Sequence, residues 1–365
     1  MLTLALTGDV MLGRGIDQVL PFPNDPVLFE RHARSALTYV EIAERRNGRI
    51  PRPVGFGHVW GDALEGLEAA DARIVNLETA VTTSAAHEPK GINYRMHPRN
   101  VGCLREAGIE CCVLANNHVL DWGRAGLAET LETLEQAGIR TAGAGRDAAQ
   151  AEAPAVIEHG GTRVLVFACG SADSGIPRGW AAAPGRPGVN LLPDLSRRTV
   201  DRLAALLRAE RRPGDIAIVS VHWGPNWGYE IPQTFRDAAH ALVEGAGFDT
   251  VHGHSSHHPQ GMEVHRNRLI LYGAGDFLND YEGIEGHEEF RGDLTLLYLP
   301  RVGADGALLG LRLLPFQVKR FRLHHASAQD TAWLRARLDR ESRRFGTEVT
   351  MGNDGALEVI WRREK

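Results

Sequence analysis

The sequence predicts an α/β fold with a small C-terminal α+β appendage, and three observations carry that prediction. Short apolar runs recur along the chain, and each stops abruptly in Asp, Glu, Asn or His. Runs of that length bounded by turn residues read as buried strands. Between them lie stretches of helical apolar spacing that end at glycine, as helices commonly do. After Pro300 the alternation stops, and a hairpin, an amphipathic helix and a closing strand follow.

Taken in order, residues 2–6 form a first strand that ends in Thr7-Gly8-Asp9. Residues 21–57 break the pattern with Pro21, Pro23, Pro26, Pro51 and Pro53 and a helix-like piece over 27–46. This segment is expected to be an insertion covering the rim of the fold. A helix over 59–70 leads to the strand Arg73-Ile74-Val75, which ends in Asn76-Leu77-Glu78. Residues 82–98 are polar and aperiodic, a candidate substrate loop with Lys90 and Arg95 as its binding side chains. A helix over 99–107 stops at Gly108, a natural C-terminal glycine. The run Cys111-Cys112-Val113-Leu114-Ala115 ends in Asn116-Asn117-His118.

Leu127, Leu131 and Leu134 mark the next helix, which ends near Gly138. The glycine-rich 142–146 lacks the Lys-Ser/Thr of a phosphate-binding loop and reads as a turn. Residues 164–168 are a buried strand, and Val200, Leu203 and Leu207 a helix. Residues 216–221 end in His222-Trp223-Gly224, and a helix over 235–246 stops at Gly247. Asp249-Thr250-Val251 ends in His252-Gly253-His254, with His257 and His258 close behind. The strand 269–272 reaches Gly275-Asp276-Phe277. Ala304-Asp305-Gly306 reads as a hairpin turn, 331–345 as a helix, and 357–361 as the closing strand after the turn at 352–355. The domain organisation is thus a core over 1–303 and an appendage over 304–365 packed on it.

Composition excludes several classes. With 43% hydrophobic and 24% charged residues over 365 positions, the chain is ordinary globular protein. Its net charge of −5 offers no basic footprint for nucleic acid. No apolar stretch approaches the roughly 20 residues of a membrane span. The first apolar run is too short and lacks the basic flank of a signal peptide, so a cytoplasmic location is expected. Cys103, Cys111, Cys112 and Cys169 form no CxxC pair and are expected as buried reduced thiols. Cys111 and Cys112, adjacent in a strand, must point to opposite faces.

In an open α/β sheet, ligands bind at the carboxyl ends of the strands. The strand ends here gather Asp9, Glu78, Asn117, His222, His254 and His257 on one rim. Oxygen and imidazole donors together suit Mn, Fe or Zn better than Mg or Ca. A shared carboxylate can bridge two divalent ions about 3.5–4 Å apart, which then stabilise the attacking and leaving oxygens of a displacement. His118, directly after Asn117, is placed to protonate a leaving group. Asp121 is placed to orient that imidazole, and Arg14 to hold an anionic substrate group. Trp223, Asn226 and Asp276 are further candidates for substrate contact, Asp276 also as an extra ligand or base. His252 and His258 read as supporting residues.

These motifs together resemble the CapA proteins of poly-γ-glutamate capsule synthesis, a branch of the calcineurin-like metallophosphoesterases. The likeness rests on residues 8–14, Asn76-Leu77-Glu78, residues 115–123, His222-Trp223-Gly224, Gly253-His254 with His257 and Gln260-Gly261, residues 272–277, and Arg344-Phe345-Gly346-Thr347. The resemblance implies a four-layer αββα sandwich of two mixed sheets. It assigns Asp9 and His257 to one metal, and Asn117, His222 and His254 to the other. Glu78 takes the place of the bridging carboxylate, and His118 is the catalytic histidine. The superfamily begins Asp-x-His, whereas Asp9 is followed here by Val10-Met11, so one metal loses a ligand. Asp276 stands where many members carry Asn.

The expected activity is a metal-dependent hydrolase in which metal-activated hydroxide attacks a phosphoester, in poly-γ-glutamate-like or small-molecule biosynthesis. One alternative is γ-glutamyl or peptide amide chemistry on an anionic substrate. The other is a non-catalytic accessory protein of a biosynthetic ligase.

Overall fold

A computed structural model describes residues 1–362. The strands are β1 (Leu2–Val10), β2 (Ala72–Leu77), β3 (Cys111–Val113), β4 (Arg140–Ala142), β5 (Thr162–Ser171), β6 (Ile216–His222), β7 (Thr250–His254), β8 (Met262–His265), β9 (Arg268–Leu271), β10 (Asp276–Leu278), β11 (Leu294–Val302), β12 (Leu308–Lys319), β13 (Thr347–Met351) and β14 (Leu357–Trp361), with shorter pieces between. The main helices are α1 (Leu37–Asn47), α2 (Gly123–Gln136), α3 (Arg197–Glu210), α4 (Gln233–Ala241) and α5 (Ala328–Ser342).

Among the described residues two large mixed sheets result, beside two two-stranded pieces. The larger runs β13-β14-β12-β11-β1-β2-β3-β4, with β10 parallel to β1. The smaller centres on β5-β6-β7-β9-β8. Side chains alternate across a strand, so each sheet has two faces to bury. Leu4 and Leu6 of β1 meet Val164, Val166, Ile216 and Ile218 of the second sheet in the middle of the molecule. Ala5 and Val75 face outward under a helical layer that includes Val40, Leu127 and Leu131. Leu165, Phe167, Ala217 and Val219 face the opposite outer layer of α3 and α4. The order of layers is therefore helix, sheet, sheet, helix, the αββα arrangement the resemblance implies. Cys111 lies in the central core and Cys112 in an outer one, as their adjacency requires. All four cysteines are buried and free, and burial raises each thiol, that of Cys111 to about 12.

The C-terminal hairpin, helix and strands continue the larger sheet: β12 pairs with β11, β14 with β12, and β13 with β14. Several helices differ from expectation; the one expected over 99–107, for instance, opens as a 3-10 turn over Pro98–Val101. The piece expected over 27–46 begins only at Leu37. Before it the chain folds back on itself, with Leu28 N–H bonded to Arg34 O and Ala36 N–H to Pro26 O. The helix expected over 59–70 is confined to Ala63–Glu68, because Gly61 takes a left-handed φ of 48°. α4 passes into a π-turn over Leu242–Ala246 before Gly247. The 21–57 segment packs against the polar loop: Phe29 stacks on His87 at 3.6 Å, and Asp25 O accepts from Arg95.

Candidate metal centre

β1, β2, β6 and β7 end on one side of the molecule, and the junction of the two sheets gathers their terminal residues. The register of β1 against β2 shifts between Leu6 and Asp9. Such a bulge re-aims the side chain that follows it. Gly8 makes it possible, since a Cβ there would sit 1.6 Å from Gly275 O. His252 ties the sheets together beneath the site, its Nε2 2.8 Å from Thr7 O.

Asp9, placed by the bulge, faces Asp276 across the parallel β1–β10 pair. Two sets of donor atoms each lie within 4.8 Å of one another: Asp9, His222 and His254, and Asp9, His257 and Asp276. All five side chains are buried. His222 Nδ1 is 2.8 Å from His254 Nδ1, and His222 Nε2 is 3.0 Å from Asn117 Oδ1. His257 Nδ1 is 2.8 Å from Asp276 Oδ1. Thus the carboxylate common to both sets is Asp9. Glu78, expected to bridge, lies against Asp9 in the same buried cluster: Asn76 Nδ2 reaches both carboxylates, and Glu78 Oε1 is 3.7 Å from His118 Nε2 and 4.0 Å from His222 Nε2. Asp276, expected as a substrate contact or as an extra ligand or base, sits among the donors.

Burial governs the charge state of the cluster. Burial and the nearby Asp276 push the Asp9 carboxyl up to about 7. Burial and Asp9 push Glu78 well above the usual carboxylate range. Burial holds His222 and His254 well below the ordinary histidine value. Burial also opposes protonation of His257, but Asp276 overrides it and the net shift is upward. Asp9 Oδ2 is buried without any hydrogen-bond partner. A buried carboxylate oxygen left unpaired is costly. A divalent cation would satisfy it and reverse the charge balance. The donor set therefore fits the two divalent ions expected from the sequence.

His118 borders this cluster. Its Nδ1 is 2.7 Å from Asp121 Oδ2, while Nε2 faces Glu78. Tyr94 packs edge-on against its ring, centroids 4.6 Å apart. Burial lowers its pKa to about 4 despite Asp121. Asn116 Oδ1 accepts from the backbone N–H groups of His118 and Val119 and fixes the turn. Lys90, from the polar loop, donates to Asp121 Oδ1 at 2.7 Å and to Asn117 O, and lies 3.3 Å from His118 Nδ1. The loop thus supplies a cation to the His118–Asp121 pair.

Several expected contacts stand elsewhere. Arg14 is 3% exposed, bonded through Nε and Nη2 to Asp280 and through Nη1 to Glu30, with its guanidinium 3.8 Å over Tyr39. Its donors face protein carboxylates, so the expected anion-holding role is corrected to a buried ion pair. Arg95 stacks 3.9 Å over Trp122 and donates to Ser84 O and Asp25 O. Trp223 is buried against Phe235 and bonded to Tyr272 O, hence core rather than pocket wall. Asn226 Nδ2 lies 3.0 Å from His257 Nε2 and so braces that ring. His258 accepts from Gly228 N–H and packs against Phe290, away from the cluster. Sequence reasoning missed Asn76 as a site residue, although its motif was visible: its Nδ2 donates to Asp9 Oδ1 at 2.7 Å. It also missed Tyr281, whose hydroxyl lies 3.1 Å from that of Tyr94 and which no local motif marks.

The chain belongs to the bacterial capsule synthesis protein family PGA_cap, which matches residues 3–281. It is 50% identical to a probable polyglutamine synthesis accessory protein of Mycobacterium tuberculosis, over 99% of this chain and 96% of that one. It is 25% identical to the PGA biosynthesis protein CapA of Bacillus subtilis, over 77% and 64% of the two chains. It is 24% identical to the capsule biosynthesis protein CapA of Bacillus anthracis, over 76% and 60%. Among the described residues no helix is long and apolar enough to cross a membrane.

Proposed function

We propose that this chain is a metal-dependent hydrolase with a dinuclear centre, acting on a phosphoester or a related bond of an anionic substrate in poly-γ-glutamate-like biosynthesis. Asp9 is the shared ligand, with His222, His254 and Asn117 on one side and His257 and Asp276 on the other. Divalent ions held there supply Lewis-acid activation of water and substrate. One observation carries the hydrolytic reading: His118 is fixed through Nδ1 by Asp121 and turns Nε2 toward the donor cluster. Burial keeps the ring neutral with Nδ1–H held by Asp121, so Nε2 can take up a proton and then pass it to a leaving group. Asp121 sets the tautomer, and Lys90 holds Asp121 and the Asn117 carbonyl in place. The burial of the donors keeps bulk water away from the reacting atoms.

The test is metal content by mass spectrometry with hydrolysis of bis-p-nitrophenyl phosphate in Mn²⁺, on the native protein and on Asp9→Ala/His222→Ala. Two metals and metal-dependent turnover, both lost in the variant, support the proposal. Metal without turnover redirects it to a γ-glutamyl or peptide amide. No metal under any loading removes its basis.

The name of the mycobacterial relative favours a second reading, a non-catalytic accessory partner of a synthetase. His118→Ala separates the two, since a scaffold has no use for a proton donor beside the cluster. The variant's turnover falls if His118 works chemically, and synthetase support is untouched if it does not.

A further inference from the structure

A cleft of about 400 Å³ lies where the C-terminal part of the larger sheet meets the end of α1. Asn47 stands on one side, and Gln317, Lys319, Arg320, His324 and His325 on the other. The volume is that of a ligand site. Among the described residues no carboxylate lines it. The acids that flank its walls are engaged elsewhere. Asp62 accepts from Arg322 and the His325 N–H, and Asp293 from Arg291 and Gln317. Asp330 accepts from Arg291, and Glu282 from Asn47 and the N–H groups of Arg320 and Phe321. Lys319 and Arg320 are exposed, and among the described residues neither side chain has a hydrogen bond or an ion pair.

The backbone that carries this guanidinium is strained. Lys319 pairs with Arg322 across a two-residue turn, in which Arg320 and Phe321 take left-handed φ values of 54° and 53°. Turns of this hand ordinarily take Asn-Gly, because a larger side chain is disfavoured there. Phe321 is buried in the outer core, and Glu282 accepts both turn N–H groups, so the surroundings hold the turn in place. The result is an exposed arginine on the cleft wall, at a position where folding alone favours asparagine or glycine. His324, in the same wall, has its Nε2 buried without a partner, a costly state for a polar atom.

The cleft opens at the same end of the larger sheet as the rim. β12 is antiparallel to β11, and β11 to β1, so Gln317 opposite Leu294 stands at the end where β1 carries Asp9. With β10 and β11 between β1 and β12, the separation is roughly 15 Å at ~4.8 Å per strand.

We propose that this cleft binds the carboxylates of an acidic chain and holds a γ-glutamyl polymer alongside the rim centre. The inference rests on the anionic, poly-γ-glutamate-like substrate proposed above. Arg320 presents a planar fork that takes carboxylate oxygens in pairs, and Lys319 a point charge beside it. Exposed Arg45 and Arg46, in the last turn of α1 with Asn47, extend the positive surface beyond the cleft. A run of cations from two elements suits a chain of repeated charges better than one small anion.

The test is fluorescence anisotropy of a labelled oligo-γ-glutamate with the full chain, at low and high salt. Lys319→Glu/Arg320→Glu is compared with Arg198→Glu/Arg208→Glu, an equal charge change at exposed positions of α3 in the opposite outer layer. The native chain is expected to bind, with affinity screened by salt. Loss of the two charge-assisted contacts is expected to weaken binding by at least about tenfold in the cleft variant and not in the control. Thermal unfolding checks that both variants fold, and Lys319→Ala and Arg320→Ala singly replace a double variant that does not. Orthophosphate serves as competitor, and is expected to displace the oligomer poorly. No binding by the native chain, equal weakening in both variants, or a cleft that takes phosphate but not the oligomer overturns the proposal. The hydrolase reading is judged separately, from metal content and turnover, so a metal-loaded chain without oligomer binding removes this site alone.

Discussion

Replacing Arg14 with methionine removes a guanidinium but keeps much of its apolar bulk. In the native fold this side chain is 2% exposed, and its partners Asp280 and Glu30 are 0% and 4% exposed. The substitution leaves two buried carboxylates facing an apolar chain. Asp280 keeps the Gly15 N–H at 3.0 Å, and Glu30 keeps the Tyr39 hydroxyl, so neither is wholly abandoned. Breaking one side of such a buried pair costs about 3–5 kcal/mol. Loss of the cation over the Tyr39 and Tyr94 rings adds to it. For a chain this long, ~4 kcal/mol corresponds to a fall in Tm of about 5 °C, taking ~2 cal/mol/K per residue for the unfolding entropy. Urea denaturation of the native chain and Arg14→Met gives the difference directly. Arg14→Met/Asp280→Asn/Glu30→Gln is expected to recover part of the loss, because the uncompensated charges go with the cation. A change below about 1 kcal/mol in the single variant, with a raised KM for an anionic substrate, would refute the buried-pair reasoning and restore Arg14 as a substrate clamp.

Other outcomes are expected. His118→Ala lowers turnover by roughly 10²–10⁴ with metal content unchanged, the scale of a lost general acid. Parallel loss of metal would show His118 to be a ligand instead. Gly8→Ala destabilises the fold by at least about 4 kcal/mol, since the added Cβ meets Gly275 O at 1.6 Å; soluble yield and Tm report it, and a native-like Tm contradicts the close approach. Asp17 is buried, and burial lifts its carboxyl from 3.8 to about 6. Its folded pKa exceeds its unfolded one, so its contribution is fully present below about 3.8 and is lost as pH rises through about 6. Unfolding free energies from urea denaturation between those pH values should fall with rising pH by about 3 kcal/mol for this group at ~1.4 kcal/mol per unit. Asp17→Asn is expected to remove that slope, and an unchanged slope assigns it to other groups.

Much of the candidate site was legible because Asp9, His222 and His254 stand at the ends of their own strands. An apolar run that ends in Asp, Asn or His announces both the strand and a residue at its carboxyl end, and neither depends on distant contacts. Asp9, His222 and His254 could be named in this way, and the Asn116-Asn117-His118 turn with Asp121 is local enough to read directly. The helices were less legible where a distant partner competes with local propensity. Glu30 is drawn into the chain by Arg14, and the helix expected over 27–46 starts only after that contact. Lys90 lay in a segment without periodicity, so its meeting with Asp121 depended on how the loop folds over the turn.

The sequence by itself determined the α/β class, the four buried thiols and the set of residues at the strand ends, because those follow from side-chain period and run length; the layer order was implied only by the family resemblance. The tertiary structure decided which of those residues share a ligand position. The register shift after Leu6 and the parallel pairing of Asp9 with Asp276 set Asp9 within reach of both donor groups. It likewise buried Arg14 between two acids. Each of those outcomes depends on register or on contacts between residues far apart in the chain, and residue spacing alone does not encode them.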